Sequence, residues 1–395
     1  MKPYTLFVND HLFFQDGSIF YSQGGLPASA WERYLEHFDH VKVIARRQLK
    51  RTSEMALSSK SDVTFNLSDH YTTPPDELIY MNAIDRHLNS CIKNADSVII
   101  RLPSILGFRA ISICKNINKP YAIEVVGCPR DTYWNYGSFF GKLLSPIMFI
   151  RMRKAVANSK FSVYVTTDFL QKRYPSFQKS VNISNVIIDK YPLSVLTNHI
   201  SLINLPKDKL RFGMIGNIET KYKGYEVLFR ALSKVKSNIP SFEVILVGGG
   251  NSRWVEGLSR RYGLQNNLKV CGVISSRDEM NSFLDSLDLY IHPSITEGLP
   301  RAMIEAMSRG CPVLSSNAGG IPELIKTKYQ HSKGNYRELG KQLIEIINNN
   351  KELTSMASTN FYKAQEYSQE ILQTKLFNFW KNFSEHVILT KRSIK

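Results

Sequence analysis

Cysteine is scarce in this 395-residue chain, and its pattern is uninviting for cross-links or metal. The five thiols, Cys91, Cys114, Cys128, Cys271 and Cys311, are an odd number, widely spread and without a C-x-x-C pair. Reduced thiols in a cytosolic setting and no zinc site are therefore expected. The histidines are equally scattered, with no H-E-x-x-H cluster. Long apolar runs are missing too: FFGKLLSPIMFI (139–150) is broken by Lys142 and Pro146, well short of the ~20 residues that span a bilayer. The opening MKPYTLFVNDHLFF is interrupted by Asn9, Asp10 and His11, which reads as a first strand and not as the apolar core of a signal peptide. There is no internal repeat, low-complexity tract, zinc finger, RNP-like aromatic motif or basic heptad, so nucleic acid is not expected as a partner.

Positive charge is plentiful. The net charge is +17, and residues 101–180 hold thirteen Lys or Arg against only Glu124, Asp131 and Asp168. Within that region FFGKLLSPIMFIRMRKAV mixes large apolar side chains with a basic cluster. This suits a segment lying on an anionic lipid surface, and equally a buried helix with a solvated basic end. Hydrophobic content of 43% and charged content of 22% are globular values, and the length calls for two domains.

The second half alternates five short apolar runs, RFGMIG, FEVILVGGG, NLKVCG, LDLYIHPS and CPVLSS, with helix-like segments. Alternation of this kind predicts βαβ crossovers and a parallel sheet covered on both faces. SRDE (276–279) has the form of a capping box ahead of Met280, Phe283, Leu284 and Leu287. The first half reads similarly, with strands at YTLFVN, VKVIAR, DSVIIRLP, PYAIEVVG and FSVYVTT and helices at WERYLEHF and ISICKNIN. Two Rossmann-like α/β domains follow, 1–200 and 207–370, separated by the polar stretch Asn198–Lys209. A last amphipathic helix over 371–395 has Ile371, Leu372, Leu376, Phe377 and Trp380 at helical spacing.

Ligands bind beyond the carboxyl ends of strands in such sheets, which singles out the segments following each predicted strand. NIETKYKG (217–224) places Lys221 and Lys223 where an ammonium can reach a diphosphate, or where two solvated lysines would simply sit. GGGNSRW lacks the G-x-G-x-x-G spacing, so the three glycines read as a tight turn and close backbone packing. In EGLPRAMIEAM (297–307) Pro300 suits the first position of a helix that Gly310 and Pro312 end. Glu297 then sits at the helix mouth and Glu305 more than a turn inside. The pair can grip a nucleotide, with Glu305 accepting from a ribose diol. Alternatively Glu297 faces the helix dipole and Glu305 pairs with Arg301 or Arg309, both four residues away.

Lys223-Gly224, VGGG, SRDE, HPS, EGLPRAMIEAMSRGCPVLSS and NAGGIPELI, in this order over 211–325, strongly resemble family 4 (group 1) glycosyltransferases, whose E-x7-E motif Glu297 and Glu305 match. The first half resembles the family more loosely, through SQGGLP and EVVGCPRDTYWNYG. The resemblance implies the GT-B architecture: two Rossmann-like domains facing a central cleft, donor nucleotide sugar on the second, acceptor on the first, and the last helix crossing back to the first. By similarity Glu305 holds ribose hydroxyls and Val273 backbone groups meet the base. Glu297, with the N–H groups of Gly298 and Leu299, meets the donor sugar. Lys223 neutralises the leaving diphosphate, which the Gly24-Gly25 loop approaches from the other domain. Asn217 stands where many relatives have an arginine, leaving phosphate to Lys221 and Lys223. Asp131 stands in for a histidine many relatives carry after the fourth strand.

Also implied is retention of configuration with neither metal nor cofactor, consistent with the lack of an Asp-x-Asp tripeptide. The expected enzyme moves a hexose from a nucleotide-sugar donor, UDP-linked, to a lipid-linked or oligosaccharide acceptor. It would work in bacterial surface polysaccharide assembly (lipopolysaccharide or capsule), as a cytoplasmic protein peripheral on the inner face of the membrane. A nucleotide-sugar epimerase of the same fold and a non-catalytic nucleotide-sugar or polyanion binding subunit are the rivals.

Overall fold

The computed structural model describes residues 2–23, 25–51, 55–68, 74–135 and 139–394. Two compact units result, one of Met1–Arg130, Leu143–Ile183 and Gln373–Lys395, the other of Asp131–Lys142 and Ser184–Leu372.

The first unit is built on β1 (Tyr4–Asp16), β2 (Ile19–Ser22), β3 (His40–Gln48), β4 (Ala56–Leu57), β5 (Val63–Ser68), β6 (Ser97–Leu102), β7 (Tyr121–Val125), β8 (Phe161–Tyr164) and β9 (Lys179–Asn182). Its parallel core runs β5-β3-β1-β6-β7-β8-β9. Leu6, Phe7, Val8, Val43, Ile99 and Ile100 are buried, as expected for strands covered on both faces. β1 is longer than its apolar run suggests. After a register shift between Val8 and Leu12, its outer half pairs antiparallel with β2. That hairpin, β5 and the helix Pro74–Asn94 were not legible from periodicity. The WERYLEHF segment forms only a 3-10 turn and the four-residue helix Glu32–Leu35.

The last helix, Gln369–Ile394, returns to the first unit, where Trp380 meets Tyr34 edge-on at 5.1 Å. Its buried stripe is Leu376, Phe379, Trp380, Phe383 and Val387, while Ile371 and Phe377 are half exposed. The stripe's phase is set by the aromatic cluster around Trp31 and Tyr34, which sequence spacing alone does not show.

The second unit carries β10 (Leu210–Ile215), β11 (Phe242–Val247), β12 (Leu268–Gly272), β13 (Leu289–His292), β14 (Val313–Ser316) and β15 (Gln330–His331). All pairings are parallel, in the order β12-β11-β10-β13-β14-β15. The winding reverses between β10 and β13, the switch point at which such sheets open a crevice. The five predicted strands are present, and the short β15 adds a sixth. The unit begins at Ser184, ahead of the expected break at Asn198–Lys209, because the helix Leu193–Asn204 packs on the helix Asn350–Gln365. The buried face of the former is Leu196, His199 and Ile203, against which the turn at Gly310 also lies. The capping box forms its forward half: Ser276 Oγ accepts from Glu279 N at the head of the helix Arg277–Asp285.

Candidate active site

The loops after β10 and β13 are forced together at the switch point. Gly224 has φ +84°, and a Cβ there would lie 2.1 Å from the Pro293 carbonyl oxygen, so only glycine permits the approach. Ile295 N donates to Tyr222 O at 2.7 Å and knits the same two loops. Lys223 is thereby delivered to the carboxylate that follows β13. Its Nζ donates to Glu297 Oε1 at 2.7 Å, and His292 Nε2 lies 2.9 Å from the same oxygen. Glu297 is 10% exposed and Lys223 20%. Burial pushes the Glu297 carboxyl up, but the His292 contact and the Lys223 ammonium outweigh it and hold the group at about 2. Glu297 is an ionised carboxylate at any working pH.

His292 is a site residue that sequence reasoning did not single out. It is buried at the end of β13, stacked on Tyr290, whose hydroxyl lies 3.3 Å from Nδ1, with Ser294 Oγ 3.3 Å from Nε2. The signal was present in HPS, but a histidine following three strand residues also reads as a core position.

Beyond Glu297 the chain turns at Gly298 and Leu299 and enters the helix Arg301–Ser308, with Pro300 as its N-cap, so the helix starts one residue later than expected. The turn is held from outside. Gly320 N donates to Gly298 O at 2.8 Å, and a Cβ on Gly319, at φ +58°, would come 2.0 Å from the Glu297 carbonyl oxygen. The N–H groups of Gly298 and Leu299 donate to no described residue. A lysine ammonium has three N–H groups, and Glu297 uses one, so Lys223 keeps donors for an anion beside these amides.

Glu305, one turn into the helix, accepts from Arg301 Nε at 2.9 Å. It also lines a cavity of about 230 Å³ with Ile274, Ser276, Arg277 and Ser308. Glu305 thus makes the expected ion pair with Arg301 and at the same time lines a cavity. Arg309, the other candidate partner, turns away to Asp285 at 2.7 Å. Val273 is 42% exposed where Gly272, at φ +70°, turns the chain off β12, and its neighbour Ile274 enters the cavity wall.

Other expected site residues are placed less directly. Asn217 Oδ1 accepts from Glu219 N at 2.9 Å and so shapes its own loop, while Lys221 is exposed on the 3-10 turn Lys221–Lys223. Gly248 sits so close to Gly216 that a Cβ would meet its carbonyl oxygen at 2.0 Å, which is the backbone packing expected of VGGG. Asp131 is half-buried in the first turn of the helix Pro129–Asn135. The far end of that helix reaches the site: Asn135 Nδ2 donates to Thr296 Oγ1 at 2.5 Å, next to Glu297. Asn135 lies within the EVVGCPRDTYWNYG segment, where a helix-end asparagine carries no signal of its own. Gly25 lies in the first unit, where a Cβ would come 3.1 Å from His11, and Gly24 is outside the described residues. Among the described residues no three His, Cys, Asp or Glu side chains converge as metal ligands would.

Comparison with known proteins gives the same direction. The pattern of the family described as "Glycosyl transferases group 1" matches residues 198–363, inside the second unit. The chain is 36% identical to Protein CapJ of Staphylococcus aureus over 329 residues, 82% of this chain and 81% of that protein. Among solved structures it resembles HepE of Anabaena in complex with UDP and glucose. The TM-score is 0.63 at 15% identity, over 95% of this chain and 97% of the other. It also resembles WaaG, a glycosyltransferase involved in lipopolysaccharide biosynthesis, with TM-score 0.63 at 14% identity, over 97% and 99% of the two chains. The fold is GT-B.

Proposed function

The chain belongs to the group 1 glycosyltransferases, and on that premise we propose that it moves a hexose, with retention and without metal, from a UDP-sugar to a lipid-linked glycan in bacterial surface polysaccharide assembly. The observation that carries this reading is Glu297, held ionised by Lys223 and His292 at the β10/β13 switch point beside the cavity that Glu305 lines. In the proposed reaction the bond from the anomeric carbon to the donor phosphate oxygen breaks. The acceptor oxygen bonds to that carbon from the same face, and the acceptor proton passes to the departing phosphate. Lys223 and the Gly298 and Leu299 amides stabilise the developing diphosphate charge, and Glu297 orients the sugar. UDP is favoured by the likeness to HepE in complex with UDP and glucose, and the polysaccharide setting by the likeness to WaaG, which is involved in lipopolysaccharide biosynthesis.

The lipid acceptor is supported by the helix Phe139–Ala157. Phe139, Phe140, Leu143, Leu144, Ile147 and Ile150 are 43–75% exposed along it, while Met148, Met152 and Val156 are buried on the opposite side. Lys142, Arg153 and Lys154 are exposed on the same helix. A solvent-facing apolar stripe with cations at its margin matches an anionic lipid surface. No described helix is long and apolar enough to cross a membrane. Sedimentation with anionic liposomes should carry the protein down at low salt, and no binding at any ionic strength would remove the membrane element.

The transferase reading is tested by UDP release from UDP-hexoses with and without a lipid-linked acceptor. Glu297→Ala should lower turnover about 100-fold while UDP affinity changes little, because its contacts concern the sugar being transferred. Glu305→Ala should weaken UDP binding about tenfold or more. Equal loss of UDP affinity in both variants would contradict this division of roles. Donor processing without any acceptor would favour an epimerase, and tight binding without turnover a binding subunit.

A further inference from the structure

The buried ring of His292 stands between two groups that fix where its proton sits. At one end Nε2 lies 2.9 Å from Glu297 Oε1, the oxygen that also accepts from Lys223 Nζ at 2.7 Å. A carboxylate paired with an ammonium has no hydrogen to give, so the hydrogen of this contact belongs to Nε2. At the other end is Tyr290, two residues back on β13 and therefore on the same face of the strand. Its hydroxyl lies 3.3 Å from Nδ1, the only hydrogen-bond partner of that hydroxyl among the described residues. Tyr290 is fully buried, so its O–H has no solvent to turn to, and a buried donor left unpaired is costly. Nδ1 must then accept. Both ends require the same form, a neutral imidazole with its hydrogen on Nε2.

The competing forms fail at one end or the other. A bare Nε2 could accept from Ser294 Oγ across 3.3 Å, but it would turn a lone pair on the carboxylate to gain a neutral bond, and charge-assisted bonds are roughly twice as strong. A ring with hydrogen on both nitrogens would leave the Tyr290 hydrogen unpaired and set a second buried cation against a carboxylate that Lys223 already balances.

We infer that Tyr290 is a positioning residue that acts through His292, holding the imidazole as the neutral Nε2–H tautomer so that the ring pins Glu297 by one oxygen. The imidazole N–H and the Lys223 ammonium come from different loops and converge on Oε1, and no hydrogen bond from a described residue reaches Oε2. Oε2 is thereby held in place as an acceptor for the donor sugar. The inference rests on the reading of Glu297 as the group that orients the sugar, and adds two residues behind it that fix its orientation without altering the charge of the site. Orientation of this kind carries large factors in rate.

NMR of the full chain with isotope-labelled histidine nitrogens reads the tautomer, the signals of residue 292 being those lost in His292→Gln. Expected is hydrogen on Nε2 alone; hydrogen on Nδ1, with or without one on Nε2, overturns the inference. The positioning role is read as UDP released from UDP-hexoses, beside calorimetric binding of UDP. Tyr290→Phe removes only the hydroxyl and should lower kcat about tenfold while UDP affinity stays within about twofold. The side-chain amide of His292→Gln still offers an N–H to Glu297 and should keep kcat within about threefold of wild type, whereas His292→Leu should lose about 100-fold. In the His292→Gln background Tyr290→Phe should have no further effect, because the hydroxyl acts only through the imidazole. An equal loss in both backgrounds would make the hydroxyl a packing group and overturn the inference. The wild-type spectrum and the glutamine and leucine variants test it even where Tyr290→Phe fails to fold. If the tautomer is wrong while the wild type releases UDP, only this inference falls. If the wild type releases no UDP from any UDP-hexose, the transferase reading falls and the positioning role with it.

Discussion

Both units wind a parallel sheet around a central first strand, yet their buried carboxylates are used in opposite ways. In the first unit Asp10 accepts from Ser104 Oγ at 2.8 Å and from the N–H groups of Ile105 and Leu106 at 2.6 and 3.1 Å, capping the helix Ile105–Asn116. Glu124 accepts the Tyr34 hydroxyl at 2.6 Å under the aromatic cluster. Burial pushes the Asp10 carboxyl up despite its amide donors. In the second unit Glu297 is held down at about 2, beside a lysine with N–H groups to spare and two amides that donate to no described residue. A buried charge whose partners are saturated is architecture. One surrounded by spare donors is a site prepared for a ligand.

The contrast can be broken in order of effect. Trp380→Ala should cost about 4 kcal/mol, as expected for emptying a fully buried aromatic site, and calorimetric unfolding should show the loss in the first unit. Gly319→Ala should cost about 3 kcal/mol through its positive φ and its collision with Glu297 O, and should abolish turnover. By comparison Gly17→Ala in the first unit, also at positive φ (+57°) but with open space around it, should cost only about 1 kcal/mol and leave activity intact.

Titration sharpens the comparison further. The carboxyl of Glu297 is lower in the fold than the ~4.3 of an unfolded glutamate, so its contribution to stability is complete above about pH 5 and is lost as pH falls towards 2. Glu297→Gln should flatten that acid limb by about 2–3 kcal/mol, measured as denaturant midpoints between pH 2 and 6. At the small end, Leu143→Ser with Ile147→Ser should change stability by less than about 0.5 kcal/mol each while weakening liposome binding.

The second unit was the more legible because its signals are local. Strand, turn and helix start recur within short windows, and glycines at 224, 248 and 319 mark places where one backbone touches another. The first unit was less so because its β2 hairpin and β5 depend on pairing with the long β1, which leaves no period in their own sequences. Glu297, Glu305 and Lys223 were singled out as site candidates by residue type and by their place after predicted strands. His292 and Asn135 were not, because a buried histidine and a helix-end asparagine are ordinary until a partner is seen.

What the sequence determined by itself is the parallel α/β class, the helix that opens after Glu297 and the spacing of the two glutamates, since each follows from apolar periodicity and turn chemistry within a few residues. What only the tertiary structure decided is that Glu297 meets both Lys223 and His292, and that Arg309 turns to Asp285 and leaves Glu305 to Arg301. Those depend on groups tens of residues apart brought within hydrogen-bond distance, and no local pattern encodes the direction of a hydrogen bond between them.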